Sequence, residues 1–491
     1  MQPGLTTSAR PVPLPNGIKP LQIVLIALLL VWVVTLFVLR DLHWRVSLYV
    51  CAYAAVAALF FFATRERGTW DPLHPAPGLI LLLLLYSLSS GLYGEARGRT
   101  FFGEPLLEEV YWRYYFACWV GLVGLVLGMF AGATVRRVDG DTPQSFSALG
   151  LELNRIMLLA ALVLCVPAFP WVWDKLDFLT VRAYRDVALS LRVERLANEA
   201  SGIIDVLTLY LPLTLMLAVC VRSMQSGKTP VAGRLAAVAI FAAYFATGFL
   251  GVERYTILFC GILMVTYRHY WVKPLPATWL LAGGIMAYIL MNLIPIIRYT
   301  ADPALMVRIF LDVVQRDGLA DFSLGNSNEL LTATNLFRQI QGQLLGETGF
   351  NYGASIINDL LVWIPRPLFP GERPLPTSEL FVDVFYPGVR EKGGGYGFFI
   401  IQEGYWALGL PGCFLFMAFF GFLVERVHAL AMRFRQLEFA IFWYAAVYAD
   451  LVMASVRSGV VGSFKAALLH SAPFFLVLGI CQALRWRRRV P

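Results

Sequence analysis

Apolar residues along this chain fall in runs of roughly 20, separated by polar stretches, which is the pattern of successive bilayer-spanning helices. Such runs lie at 21–39, 46–63, 77–93, 111–134, 156–170, 202–221, 235–251, 254–267, 276–297, 397–424, 437–454 and 461–484. Several sit near the ~17-residue minimum for crossing hydrocarbon. The pair 235–251 and 254–267 also reads as one hairpin turning at Gly251. The pattern predicts an all-α polytopic membrane protein with about twelve transmembrane helices and one large loop. It divides the chain into an N-terminal tail (1–20), a membrane bundle (21–297), the large loop (298–396), a second bundle (397–484) and a basic tail (485–491).

The loop has internal pattern. Leu305, Met306, Ile309, Phe310, Val313 and Val314 recur at helical spacing, as do Ile356, Ile357, Leu360, Leu361 and Ile364. Both read as short amphipathic helices lying in the membrane interface. Segment 171–201, with Arg182, Arg185, Arg192 and Arg195 in one helical arc, reads as another.

Composition agrees with lipid as the main solvent. The chain is 58% hydrophobic and 15% charged, against roughly 25% charged in soluble domains. Charge then orients the spans. Arg65, Arg67, Arg136, Arg137, Arg222 and Lys228 fall in alternate connections, as do Arg268, Lys273, Arg426, Arg433 and Arg435, and Arg485, Arg487, Arg488 and Arg489 end the chain. This is the positive-inside pattern, and it puts both termini in the cytoplasm and residues 94–110, 171–201 and 298–396 outside. Residues 1–20 are polar and Pro-rich, so no cleavable signal peptide is expected.

Several short motifs carry no chemistry. Ser226-Gly227-Lys228-Thr229 lacks the upstream Gly of a phosphate loop, where Arg222 stands. Asp139-Gly140-Asp141 is a single short match to a metal-binding pattern. The seven Cys are scattered singly, with no CxxC, and read as packing residues. His43, His74, His269, His428 and His470 are far apart in sequence, so no His-based metal site is expected. Arg338 and Gly349 fit an Arg-x10-Gly spacing, which chance explains in a chain with 41 Gly.

The informative residues are charges near span ends. An ionised side chain at the bilayer centre costs about 2.5–3.5 kcal/mol even on lenient scales. Yet Arg254, Arg298, Glu403, Asp450 and Arg457 lie in or beside apolar runs, all toward the outer face by the charge-derived orientation. The loop adds Arg308, Arg316, Arg338, Arg366, Arg373, Arg390 and Lys392 on the side that the positive-inside rule depletes. Arginine presents a fork of donors suited to phosphate oxygens, so an anionic ligand is the natural use.

The C-terminal part of the loop runs IPRPLFPGERP from Ile364 to Pro374, then Thr377, Ser378 and Glu379, then GGGYGFFIIQEGYWALGLPG from Gly393 to Gly412. The order is a Pro-Arg-Pro loop, a Gly-rich turn, a span opening with Glu and Tyr, and a Gly-x-Pro-Gly break. This resembles the O-antigen polymerases, the Wzy-type oligosaccharide repeat-unit polymerases, best over 250–460. Gly251-Val252-Glu253-Arg254 looks like that family's Gly-x-Arg element with one residue inserted. The resemblance implies a GT-C-like glycosyltransferase in the bacterial inner membrane. It would join oligosaccharide repeat units carried on undecaprenyl pyrophosphate at the periplasmic face, without nucleotide, metal or other cofactor. It also implies a flippase and a chain-length regulator as partners, and no nucleic acid. Without a metal, developing pyrophosphate charge must be met by fixed cations. Arg254, Arg298 and Arg366 are the first candidates, with Arg390, Lys392 and Arg457 behind them. Glu403 is the first candidate for the general base and Asp450 the second. Tyr396, Tyr405, Trp363 and Trp406 are candidates for stacking on sugar rings.

Two other readings stay open. An O-antigen ligase has similar architecture, but its family is associated with a His in the large loop, and residues 298–396 contain none. A transporter of lipid-linked sugars usually carries internal repeats and polar residues at the midplane of broken helices. No repeat is visible, and the charges are expected near the outer face.

Overall fold

The computed structural model describes residues 44–64, 71–97, 106–134, 150–163, 211–225, 229–250, 254–287, 330–361, 374–389 and 396–487, less single positions at 72, 151, 162 and 277, with isolated positions between 308 and 315 and at 364 and 369. All regular elements among them are helical, and the only β pairing is one isolated parallel bridge, Phe398 with Ser458. Five helices are long and apolar enough to cross a membrane: Pro75–Tyr93, Glu108–Ala133, Leu410–Arg433, Glu438–Ser458 and Val460–Arg485. Shorter apolar helices occupy Trp44–Phe60, Leu213–Gln225, Val231–Phe245 and Thr278–Ala287. The protein is therefore an all-α, multi-pass membrane protein. The span expected at 21–39, most of 156–170, the start of 202–221, the end of 276–297 and the 171–201 segment lie outside the described residues.

In the first bundle the helices are α1 (Trp44–Thr64), α2 (Pro75–Arg97), α3 (Glu108–Thr134), α4 (Leu211–Gln225), α5 (Val231–Leu250) and α6 (Arg254–Tyr267). Pro75 opens α2 where a missing N–H does no harm. Just before it, the Leu73 amide donates to Asp71 Oδ1 at 2.9 Å and the Ala76 amide to His74 Nδ1 at 3.2 Å. Glu108 and Glu109 stand in the first turn of α3, where negative charge complements the helix dipole. The separate α5 and α6 fit the hairpin reading of 235–267.

The large loop contributes three described helices, α7 (Thr334–Leu344), α8 (Ala354–Leu361) and α9 (Thr377–Phe385). The periodicity at 356–364 is the signature of α8, which leaves Ile357 and Leu360 61% and 52% exposed, as expected of a helix lying against lipid. Most of the other expected helix, 305–314, lies outside the described residues. α7 packs on the first turns of α3: Phe337 stacks on Tyr114 at 3.8 Å, and the Leu107 amide donates to Gln341 at 3.2 Å. The loop thus sits at the end of the bundle where α3 begins.

The apolar run 397–424 is not one span. It breaks at Gly409, which has φ +67°, into α10 (Ile400–Leu408) and α11 (Leu410–Arg433). A side chain is strained at that φ, so glycine is required for the turn. Pro411 falls in the first helical turn of α11, where it is tolerated. Gly404 and Gly412 then meet backbone to backbone, so α10 folds back along α11. Glu403 consequently sits in a nine-residue helix beside the span, and not within it.

α11 is held by α3. Gly124, Gly128 and Gly132, four residues apart, face the carbonyl oxygens of Phe414, Ala418 and Phe422, and Gly421 returns the contact against Leu125. A Cβ at any of these would collide with backbone. Small residues at this spacing let membrane helices approach closely and gain dispersion contacts that lipid cannot match. The second bundle continues with α12 (Glu438–Tyr448), which runs on through a π-helical stretch (Ala449–Ala454) and a last turn (Ser455–Ser458), and ends with α13 (Val460–Arg487).

In an uncrowded helix Gly→Ala gains about 1 kcal/mol. We expect Gly261→Ala, which meets open space on α6, to be neutral or stabilising. We expect Gly128→Ala to lose about 1–3 kcal/mol through overpacking. Thermal unfolding in detergent separates them, and equal behaviour of the two variants would contradict the seam.

Candidate functional site

The site is built where α10 meets the start of α13. A helix N-terminus leaves backbone N–H groups without intrahelical partners. Here Glu403 supplies one: its Oε2 accepts the hydrogen bond of the Val460 amide, with Val461 also donating. Gly459, at φ +74°, lies against the same carboxylate oxygen, and a Cβ there would crowd it. Glu403 is 1% exposed, and its second oxygen, Oε1, has no hydrogen-bond partner. Burial pushes the carboxyl up to about 8; the Val460 amide opposes this, nearby Asp359 adds to it, and Val461 opposes it. One oxygen is fixed and the other is left to carry a proton.

Of the helices between 330 and 385, α8 brings Asp359 within electrostatic range of this carboxyl. Asp359 on α8 is itself raised by burial while accepting from the Thr377 amide at 2.7 Å. Ser355, Gln339 and Gln402, on α8, α7 and α10, are fully buried with side-chain atoms lacking hydrogen-bond partners. Such atoms are rare in folded proteins, and each calls for an explanation.

Gly397 and Phe398, which follow the Gly-rich stretch, lie along one edge of the site. The Phe398 amide donates to the Arg457 carbonyl at 2.7 Å, which creates the single β-bridge. The Arg457 side chain crosses Gly397, where a Cβ would lie 2.7 Å from its Cγ. The Gly397 carbonyl accepts from Asn335 at 2.9 Å, Asn335 accepts from the Tyr386 hydroxyl at 2.7 Å, and the Tyr386 ring lies 4.2 Å from Tyr396. Tyr396 is 41% exposed, and Arg457 is exposed as well.

Of the residues expected from sequence, Glu403 lies against Gly459, and Arg457 and Tyr396 flank the adjoining Phe398–Ser458 bridge. Two aromatic expectations are corrected. Tyr405 and Trp406 are 2% and 4% exposed and show no free face to a sugar. Trp406 packs among Phe381, Phe385 and Phe398, and Tyr405 bonds to Arg113. Arg254 opens α6. Arg298, Arg366, Arg390, Lys392 and Trp363 lie outside the described residues, as do Asp139 and Asp141.

Asp450 is the larger correction. Instead of standing near the outer end of its span, it lies in the middle of that span, in the π-helical stretch, fully buried. The Tyr255 hydroxyl donates to its Oδ1, and His470 Nδ1 lies 2.7 Å from its Oδ2. Sequence reading missed His470 and Tyr255, because nothing in the spacing of α6, α12 and α13 reveals that they converge.

The histidines are not dispersed either. His74, His269 and His428 converge, with the rings of His74 and His428 4.4 Å apart. His74 Nε2 lies 3.1 Å from Glu425, His269 Nε2 3.1 Å from Asp71, and His428 Nδ1 2.7 Å from the Tyr444 hydroxyl. Burial raises the Asp71 carboxyl, but the hydrogen bond and charge of His269 more than reverse this and hold it below its ordinary value. These contacts tie the connections around α2 and α6 to α11 and α12. Among the described residues no group of three or more His, Cys, Asp or Glu is arranged to hold a metal ion.

No protein-family model, no curated protein and no solved structure matches this chain. The fold and site define a multi-pass helical membrane protein with a buried carboxyl held against the backbone amides at the start of α13.

A carboxyl raised by folding stabilises the protein fully below its unfolded value near 4.5, and that contribution is lost as pH rises through about 8. We expect thermal stability to fall across this window and Glu403→Gln, which keeps an acceptor for Val460, to flatten the fall. Glu403→Ala should lose about 1–2 kcal/mol by uncapping α13. Identical pH profiles for wild type and Glu403→Gln would contradict this.

Proposed function

We propose that this protein is a membrane glycosyltransferase that joins oligosaccharide repeat units carried on undecaprenyl pyrophosphate, as its resemblance to the O-antigen polymerases implies. The proposal includes about twelve spans, both termini in the cytoplasm, and the loop at the periplasmic face of the bacterial inner membrane. The observation that carries it is Glu403: a buried carboxyl with one oxygen pinned by a helix terminus and the other unpartnered, beneath a rim bearing Arg457 and Tyr396.

Glu403 Oε1 takes the proton from an acceptor sugar hydroxyl. The oxygen attacks the anomeric carbon of the growing chain, and the carbon–oxygen bond to pyrophosphate breaks. Lipid pyrophosphate leaves with the electron pair, and Arg457 offsets its charge, with Arg254, Arg298, Arg366, Arg390 and Lys392 as further cations. Tyr396 is the remaining stacking candidate among the described residues, with Trp363 beside the loop's Pro-rich segment.

One observation favours a second reading. A buried acid and histidine inside spanning helices, with a tyrosine hydroxyl donating to the acid, are typical of proton-coupled carriers, so transport of lipid-linked sugars stays the alternative. The ligase reading is weakened by the absence of His from 298–396.

A deletion strain distinguishes the three. Surface glycan carrying one repeat unit supports polymerisation; glycan lacking any unit while lipid-linked polymer accumulates indicates a ligase; lipid-linked units retained at the cytoplasmic face indicate a carrier. Complementation with Glu403→Gln should lower polymerisation about 10²–10⁴-fold, and Arg457→Ala about 10²-fold or more. Because the base must be ionised, the wild-type rate should rise with pH through about 8. Normal polymer in both variants would remove the proposed site.

A further inference from the structure

The turn joining α7 to α8 holds an aromatic side chain outward at a cost in backbone strain. Tyr352 is 79% exposed, and its φ of +49° lies in the left-handed region. That conformation is uncommon for a residue with a side chain and strained for a bulky one. Gly346 and Gly353 also have positive φ, so the chain reverses tightly. Asn351 fixes the turn from within: its Oδ1 accepts from the Gly353 amide at 3.0 Å and its carbonyl from the Ala354 amide at 2.9 Å. Phe350, also exposed, meets Tyr352 edge-on at 6.4 Å. Strain that persists in a well-braced turn marks a function for what the turn presents. Here it presents two aromatic rings.

The neighbours of these rings set their depth. The Asn351 amide donates to the Trp406 carbonyl at 3.0 Å, and the Phe350 ring packs on Gly409, 3.3 Å from where a Cβ would stand. Phe350 is therefore fixed at the turn from α10 into α11. The 24 residues of α11 span about 36 Å at 1.5 Å per residue, against about 30 Å of hydrocarbon. Centred in the bilayer, α11 carries Gly409 only about 3 Å past the hydrocarbon, at headgroup level. Aromatic side chains with a polar end gather at that level. The neighbouring spans mark the same level: Trp44 opens α1 and Trp112 lies in the second turn of α3, both exposed, with rings 5.0 Å apart. Arg113, next to Trp112, bonds to Tyr405, whose ring lies 6.4 Å from that of Phe350. An aromatic row thus runs from α1 across α3 to the turn. It continues onto α8 through the exposed Ile357 and Leu360.

We propose that the 346–353 turn is a membrane anchor, with Phe350 and Tyr352 seated in the bilayer interface at the end of the bundle where α3 begins. The partner is the lipid surface itself. The two rings lie toward the acyl chains, and the Tyr352 hydroxyl stands among the headgroups, the arrangement that favours tyrosine where one end is apolar and the other wet. α8 follows the turn directly, so the anchor also fixes the depth of Asp359, which acts electrostatically on Glu403. The anchor stands independently of the glycosyl-transfer reading.

The test uses the full chain in bilayers of phosphatidylcholine and phosphatidylglycerol, with a fluorotyrosine in place of Tyr352 alone. Fluorine relaxation is measured with dissolved oxygen, which concentrates in lipid, and with a nickel chelate confined to water. A fluorophenylalanine in place of Phe419, exposed on the spanning helix α11, gives the lipid reference. Free fluorotyrosine in buffer gives the water reference. We expect the ratio of oxygen effect to nickel effect at position 352 to fall between the two references, several-fold above the free amino acid. A ratio equal to either reference would overturn the proposal. So would shielding from both agents, which would show that protein, from this chain or a second copy, covers the turn.

Discussion

The fold depends on how closely α3 and α11 approach. In lipid no hydrophobic effect drives two apolar helices together, so their association rests on dispersion between well-fitted surfaces. Glycines on both helices remove the side chains that would hold the backbones apart. The same device acts at the head of α11, where Gly404 meets Gly412 and α10 folds back. Because α11 is fixed against α3, the returning α10 has a fixed position too. That position carries Glu403 to the unpaired amides of α13. A glycine-to-backbone fit thus determines where a buried carboxyl stands.

Two buried acids are accommodated in different ways. Glu403 is stabilised by a helix terminus, which fixes one oxygen and leaves the other unengaged. Asp450 has both oxygens engaged by tyrosine and histidine on neighbouring spans. The first arrangement leaves an oxygen open to proton exchange, and the second ties three helices together. Sequence reading paired these acids as alternatives for one role because both lie in apolar runs. Their surroundings are different.

The helical membrane architecture was legible because hydropathy reports directly on the solvent of each segment. The Gly409-Leu410-Pro411-Gly412 break was visible, but not that it reverses the chain, since a positive φ and a backbone contact have no periodic signature. The periodicity of α8 was readable because one face is exposed to a different solvent from the other. Tyr405 and Trp406 looked like surface aromatics because composition does not distinguish an interface belt from an aromatic core. The convergence of His74, His269 and His428, and of Asp450 with His470, depends on tertiary packing between helices distant in sequence. Arg457 and Glu403 were legible as anomalous charges, but the bridge that joins their segments was not.

The most direct measurement of the central claim is reconstitution of the purified protein in lipid vesicles with an undecaprenyl-pyrophosphate-linked oligosaccharide as sole substrate. The account predicts a ladder of lipid-linked products of increasing length, with one undecaprenyl pyrophosphate released for each linkage formed and no nucleotide sugar required. Substrate that is carried across the bilayer with its length unchanged would contradict it.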